Sequence, residues 1–187
     1  MPLIYGSPEH LKLHPFVKMP VLQHRDRVIY ETLAIAHYID KAFEGPALQP
    51  SDPFEQAEVL RWVSIVNAYV FPTMNRFMKE KLVRPIFGFE PDAAFVRASE
   101  APLALQVQLI DGALSRAAFL AGNRLTLADS FLFPHLLFFG LTTEGERLLA
   151  AAPAATAWLK KMQARLSYRD GPMSRAHQAM SSLPTRR

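Results

Sequence analysis

Apolar residues in this chain form short runs near its start and stripes of helical period over the remainder. Val21-Leu22 and Val28-Ile29 flank the polar Gln23-His24-Arg25-Asp26-Arg27, a pattern that predicts a hairpin. Leu3 to Tyr5 reads as a short strand closed by Gly6-Ser7-Pro8. From Glu31 the period changes. Ile35, Tyr38, Ile39 and Phe43 recur at three- and four-residue steps, so an amphipathic helix is expected, ended by Gly45-Pro46. Residues 44–53 contain Gly45, Pro46, Pro50, Ser51 and Pro53, a loop composition taken as the domain boundary.

Beyond that loop the pattern is helical. Asp52, Pro53 and Glu55 mark a helix start. Leu60, Val63, Val66, Val70, Met74, Phe77 and Met78 follow as one apolar stripe, with a kink expected at Pro72. Arg84 to Pro91 breaks this helix, and a second is expected from Asp92 to Phe119, carried by Leu103, Val107, Ile110 and Leu114 and ended at Gly122-Asn123. A third begins at Thr126, with Asp129 placed to return a bond to the Thr126 amide. A last helix is expected over Ala154 to Leu166, with Trp158, Leu159, Met162 and Leu166 on one face. The architecture is thus a small α/β piece at 1–45 and an all-helical one at 52–187.

Composition narrows the chemistry. The chain has 187 residues, 50% apolar and 20% charged, enough to bury a real core. Its net charge of +4 comes from scattered basic residues, so no nucleic-acid partner is expected. The absence of cysteine excludes disulfides, thiolate metal sites and a cysteine nucleophile. His10 and His14 share helical spacing, but no HExxH pattern or acidic third ligand accompanies them, and no metal is expected. The start carries no leader pattern, and the longest apolar stretch, Phe131 to Leu141, is too short to span a membrane, which sets a cytoplasmic, membrane-free expectation.

Two places can bind. A proline after an extended residue, as at Met19-Pro20, exposes the preceding amide and carbonyl, and a cis bond would point them outward to pair with a peptide. Glu31-Thr32 at a helix start offers free amides for a carboxylate and an acid for an ammonium group, together a grip on an amino-acid zwitterion. A proline that closes a loop and a capping pair without ligand remain open readings of the same residues.

His14-Pro-Phe-Val-Lys-Met-Pro-Val-Leu22, Ile29-Tyr-Glu-Thr-Leu-Ala-Ile-Ala-His-Tyr-Ile-Asp40, Phe119-Leu-Ala-Gly-Asn-Arg-Leu-Thr-Leu-Ala-Asp-Ser130 and Trp158 to Tyr168 resemble the glutathione transferase family. The resemblance implies an α+β chain, a thioredoxin-like glutathione-binding domain followed by an all-α domain that contributes the electrophile pocket, usually in a homodimer. It implies glutathione as co-substrate and a small hydrophobic electrophile, or else a non-catalytic binding or dimerisation module on the same fold. Carried over by position, the backbone of Met19 before a cis Pro20 holds the cysteinyl part of glutathione. Glu31 and Thr32 hold its γ-glutamyl end, and Lys18 and His14 fall near the glycyl carboxylate. Tyr69, Asn75 and Arg76 are candidates for the second pocket. Thr126 and Asp129 match the family's helix-capping box.

The front departs from the family. Members place a Tyr, Ser or Cys after the first strand to stabilise the glutathione thiolate, and a thiol with its ordinary pKa near 8.5 is mostly protonated at pH 7 without such help. Only nineteen residues precede Pro20, whereas a strand-helix-strand unit needs roughly 30. Ser7 to Phe16 resembles the segment directly before the proline motif, which implies that Leu3 to Tyr5 is the second strand and that the shortened domain lacks the first strand, the first helix and the catalytic group. The competing alignment makes Leu3 to Tyr5 the first strand and Tyr5 or Ser7 the thiol-activating residue.

Overall fold

The computed structural model describes residues 5–182. Leu3 and Ile4 of the first expected strand lie outside the described residues, and Tyr5 is in a turn. The chain forms two compact units, Met1–Gln49 and Pro50–Arg187.

The first unit contains α1 (Pro8–Leu13), β1 (Val21–His24), β2 (Arg27–Tyr30) and α2 (Thr32–Ala42). Helix α1 is too short to show a hydrophobic period, and its signal is chemical. Ser7 Oγ accepts from the His10 amide at 3.2 Å, Pro8 opens the first turn and Glu9 lies at the positive end of the dipole. Strands β1 and β2 pair antiparallel, Val21 opposite Tyr30 and His24 opposite Arg27. They run further into the polar stretch than their apolar residues suggest, because the ladder is made by backbone and the reversal needs only Arg25 and Asp26, with Arg25 at φ 57°. In α2 only Ile35 is buried, while Tyr38 ties the helix to β1 through a 2.8 Å bond between its hydroxyl and His24 Nδ1.

In the second unit α3 (Pro53–Ile65), a π-helical turn (Val66–Val70), α4 (Phe71–Met78), a second π-helical turn (Lys79–Val83) and a 3-10 turn (Arg84–Phe87) follow one another without a break. Asp52 Oδ1 accepts from the Glu55 amide at 2.9 Å, so α3 starts where the sequence places it. The kink expected at Pro72 is replaced by the π turn before it. A proline inside a helix cannot donate to the carbonyl four residues back and collides with it, and one extra residue per turn absorbs that mismatch. The stripe also needs one correction: Leu60 is 47% exposed, and Val59 and Trp62 take the inward positions with Val63, Val66, Val70, Met74 and Phe77. The path stops at Gly88, whose φ of 78° lets its own amide and that of Phe89 reach back to the carbonyls of Pro85 and Arg84, each at 3.1 Å.

Helix α5 (Ala93–Leu114) is capped by Asp92, whose Oδ1 accepts from Phe95 N at 3.0 Å. It ends short of the expected Phe119. Phe119 and Gly122 instead exchange backbone bonds of 2.9 and 3.3 Å, a turn that folds Phe119 and Leu120 into the core. Helices α6 (Leu127–Phe139), α7 (Thr143–Ala150), α8 (Pro153–Gln163), α9 (Leu166–Arg169) and α10 (Pro172–Ser181) complete the unit. The expected last helix is therefore shorter: Leu166 is exposed and opens α9, while α7 and α10 are additional. Met74, Phe77, Leu132, Leu136 and Phe139 are fully buried and place α6 at the centre of this core.

His135, on α6, packs edge-on against Phe71 with centroids 5.5 Å apart. Desolvation pushes its pKa down to about 4, and burial lowers that of His177 as well. Between about pH 4 and the ordinary value near 6.5 the unfolded chain binds a proton that the folded chain refuses, so stability is complete above 6.5 and falls as pH drops through this window. The expected loss on His135 is about 2 kcal/mol, below the full linkage value because part of the ring meets water. Urea midpoints at pH 7 and pH 4.5 check it: His135→Phe should flatten the slope, leaving the smaller share of His177.

Candidate functional site

The hairpin register determines where the two expected half-sites fall. Val21 faces Tyr30, so one step further along the same end of the ladder stand Pro20 and Glu31, and Thr32 opens α2 directly afterwards. The Met19–Pro20 bond is cis. Met19 is 73% exposed, and Lys18, Pro20, Glu31 and Thr32 are exposed too. The Met19-Pro20 segment and the start of α2 thus lie at the same end of the two-stranded ladder.

Glu31 has φ 72° and ψ 121°, a conformation that costs a side-chain-bearing residue on the order of 1–3 kcal/mol and survives only where neighbours enforce it. Its side chain makes no capping bond to α2. The reading of Glu31-Thr32 as a self-satisfied capping pair is therefore set aside. A helix start with its first amides uncapped attracts an anion, and the neighbouring Glu31 carboxylate, free in the solvent, attracts a cation. This arrangement suits the α-carboxylate and ammonium of one amino-acid end.

The other expected contact residues divide. Lys18 is exposed beside Met19. His14 is only 2% exposed, its Nδ1 accepts from the Phe16 amide at 3.2 Å, and its ring lies 4.8 Å from that of Tyr30. This corrects its placement: His14 faces inward and joins the segment before Met19 to the residue before Glu31, a position from which it braces rather than meets a carboxylate. Val17, at φ 51°, is a second strained position in the same segment.

Of the two alternative thiol-activating residues, Ser7 spends an Oγ lone pair on capping α1, and Tyr5 is 60% exposed with its ring 5.3 Å from that of His10. Tyr69 lines a cavity of about 550 Å³ between the first π turn and α5, together with Thr73, Leu105, Gln106 and Leu109. Asn75 and Arg76 do not line it; Arg76 lies 3.8 Å from the Phe95 ring centroid and pairs with Asp92 at 3.5 Å. Among the described residues no three acidic or histidine side chains are grouped for a metal ion, and no helix is long and apolar enough to cross a membrane.

Residues 5–41 match the family model for the N-terminal domain of glutathione S-transferase, and residues 61–165 match that for its C-terminal domain. Glutathione S-transferase 3 of Zea mays is 32% identical over 169 residues, 88% of this chain and 74% of that protein. Among solved structures, glutathione S-transferase III in apo form superposes with a TM-score of 0.80 at 31% identity, covering 97% of this chain and 81% of the other. Glutathione S-transferase-I bound with lactoylglutathione gives 0.80 at 26% identity over 94% and 81% of the two chains. With both halves matched in order, and a relative above 30% identity spanning most of both proteins, the chain belongs to the glutathione S-transferase family.

Proposed function

We propose that the edge at Met19 and the tip of α2 bind glutathione, and that the bound thiol reacts with a small hydrophobic electrophile. The observation that supports this is the hairpin register, Val21 opposite Tyr30, with the cis Met19–Pro20 bond leading into one strand and Glu31-Thr32 leaving the other at the same end. The α-carboxylate of the γ-glutamyl residue sits on the uncapped amides of α2 and the Thr32 hydroxyl, its ammonium pairs with Glu31, and the cysteinyl amide and carbonyl pair with Met19 as an added strand would. Lys18 lies within reach of the glycyl carboxylate. In the reaction the glutathione sulfur forms a bond to an electrophilic carbon, a leaving group such as halide departs with the electron pair of its own bond, and the thiol proton passes to water.

A solved relative carries lactoylglutathione, a glutathione thioester, which supports a γ-linked tripeptide as the ligand of this site. The cavity at Tyr69 has a size suited to a small apolar molecule. The chemistry consumes glutathione as a free thiol, which supports the cytoplasm, where the pool is kept reduced, as its location. The homodimer usual in the family belongs to the same proposal, on the strength of family membership.

Titration calorimetry with glutathione tests the site. Glu31→Ala should weaken binding by roughly 10- to 100-fold, the equivalent of one charge-assisted contact, and Thr32→Val by less. No measurable heat with the native chain at millimolar glutathione defeats the proposal. Release of chloride from an activated aryl chloride, dependent on glutathione, separates the conjugating enzyme from a binding module.

A further inference from the structure

Behind the proposed binding edge lies a side chain that no expectation placed there. His10, on α1, is 1% exposed. Its Nδ1 lies 3.2 Å from the Gly6 amide, and its Nε2 lies 3.0 Å from the carbonyl oxygen of Lys18. A backbone amide can only donate, so Nδ1 accepts; a carbonyl can only accept, so Nε2 carries the proton. Both ring nitrogens are thereby used, and the tautomer follows from the partners. The main chain of His10 is itself held by Ser7 Oγ.

Lys18 is the residue before Met19, and its carbonyl belongs to the same peptide unit as the Met19 amide. A bond to that oxygen fixes the plane of the unit, and with it the direction in which the Met19 N–H points. The need for such a fastening is visible one residue earlier. Val17 is β-branched and held at φ 51°, a conformation that persists only when the surroundings over-determine it. Its restraints are short-range on one side, Val17 N to His14 O at 3.0 Å and Phe16 N to His14 Nδ1 at 3.2 Å. On the other side the described bond is the one from His10.

We infer that His10 is a positioning residue for glutathione: by donating from Nε2 to the Lys18 carbonyl it orients the Met19 amide that pairs with the cysteinyl part of the ligand. This rests on the proposed binding at Met19. His10 touches no ligand atom. It acts through one peptide unit, from a helix whose cap and first proline make it a stiff support.

Two readouts on the full chain test it. Nitrogen-15 correlation spectra of the histidine rings should show His10 as the Nε2–H tautomer in the absence of any ligand; an Nδ1–H tautomer overturns the assignment. Glutathione titrations then compare the native chain with His10→Gln, whose amide N–H can still reach Lys18, and with His10→Phe, which fills the space without donating. Binding should be about tenfold weaker in His10→Phe, one hydrogen bond's worth, and within about threefold of native in His10→Gln. Should His10→Phe not fold, His10→Asn replaces it, since its oxygen can serve Gly6 while its amide stops short of Lys18. A folded Phe or Asn variant that binds like the native chain, or a Gln variant as weak as they are, sinks the inference while leaving the binding site standing. A native chain that fails to bind glutathione sinks both.

Discussion

Asp129→Ala is expected to lower the stability of the helical unit by about 4 kcal/mol, enough to unfold a marginal domain near body temperature. The carboxylate is fully buried. Its Oδ2 accepts from the Thr126 amide at 2.9 Å and the Thr126 hydroxyl at 3.0 Å, while Oδ1 accepts from the Leu120 amide at 2.9 Å and the Trp158 indole at 3.0 Å. Alanine leaves four buried donors with no acceptor, each costing about 1–3 kcal/mol before any local relaxation or entry of water. It also unfastens three pieces of chain at once, the start of α6, the turn after α5 and the middle of α8. Denaturant unfolding followed by tryptophan fluorescence measures the loss. A second variant probes the long-range bond: Trp158→Phe keeps an aromatic ring against Phe133 but removes the indole N–H together with part of a buried ring, for an expected cost of about 2–3 kcal/mol. A loss below about 1 kcal/mol for Asp129→Ala would mean that the four bonds do not share one anchor.

Gly145→Ala is expected to cost about 3 kcal/mol, although alanine is ordinarily the better helix residue. A methyl group built on Gly145 overlaps the carbonyl oxygen of Phe139 and comes within 2.6 Å of its carbon and 2.8 Å of Thr142 Oγ1. Those atoms are backbone and cap, and neither swings aside. Thr142 Oγ1 donates to the same Phe139 carbonyl at 2.8 Å and accepts from the Gly145 amide at 3.0 Å, so α7 is pressed onto the end of α6 at its first turn. The gain from restricting the unfolded chain, about 0.4–1 kcal/mol, has the opposite sign and is too small to compensate. A melting temperature of the alanine variant at or above that of the native protein would show that α7 can move away freely.

These two sites differ in how much of them the sequence reveals. The Thr126 and Asp129 pairing is visible as a capping box, because its partners are three residues apart and the rule is local. The bonds to Leu120 and Trp158 are not, since they join residues 9 and 29 positions away, and no period or composition marks them. At Gly145 the sequence predicts no helix, and the glycine gives no sign of the contact that requires it. The same division runs through the binding region. Met19-Pro20 and Glu31-Thr32 announce themselves by residue type, and the hairpin that brings them together follows from two apolar pairs around a polar turn. That His14 turns inward, and that His10 reaches the Lys18 carbonyl, depends on which way a six-residue helix lies against a loop.

What the amino-acid order determined by itself is therefore local and periodic: the hairpin, the starts of α3, α5 and α6, the helical stripes, and the family resemblance built from motifs whose residues are neighbours. What only the tertiary structure decided is which face of each stripe is covered and which buried polar atoms meet. Leu60 and Leu166 emerge from the stripes while Val59 and Trp62 enter, and α5 stops before Phe119 because a backbone turn takes that ring into the core. The physical reason is common to all of these. Propensities and caps act over three or four residues, whereas packing and buried hydrogen bonds pair residues by position in space, and a buried donor without its acceptor costs more than any local preference can return.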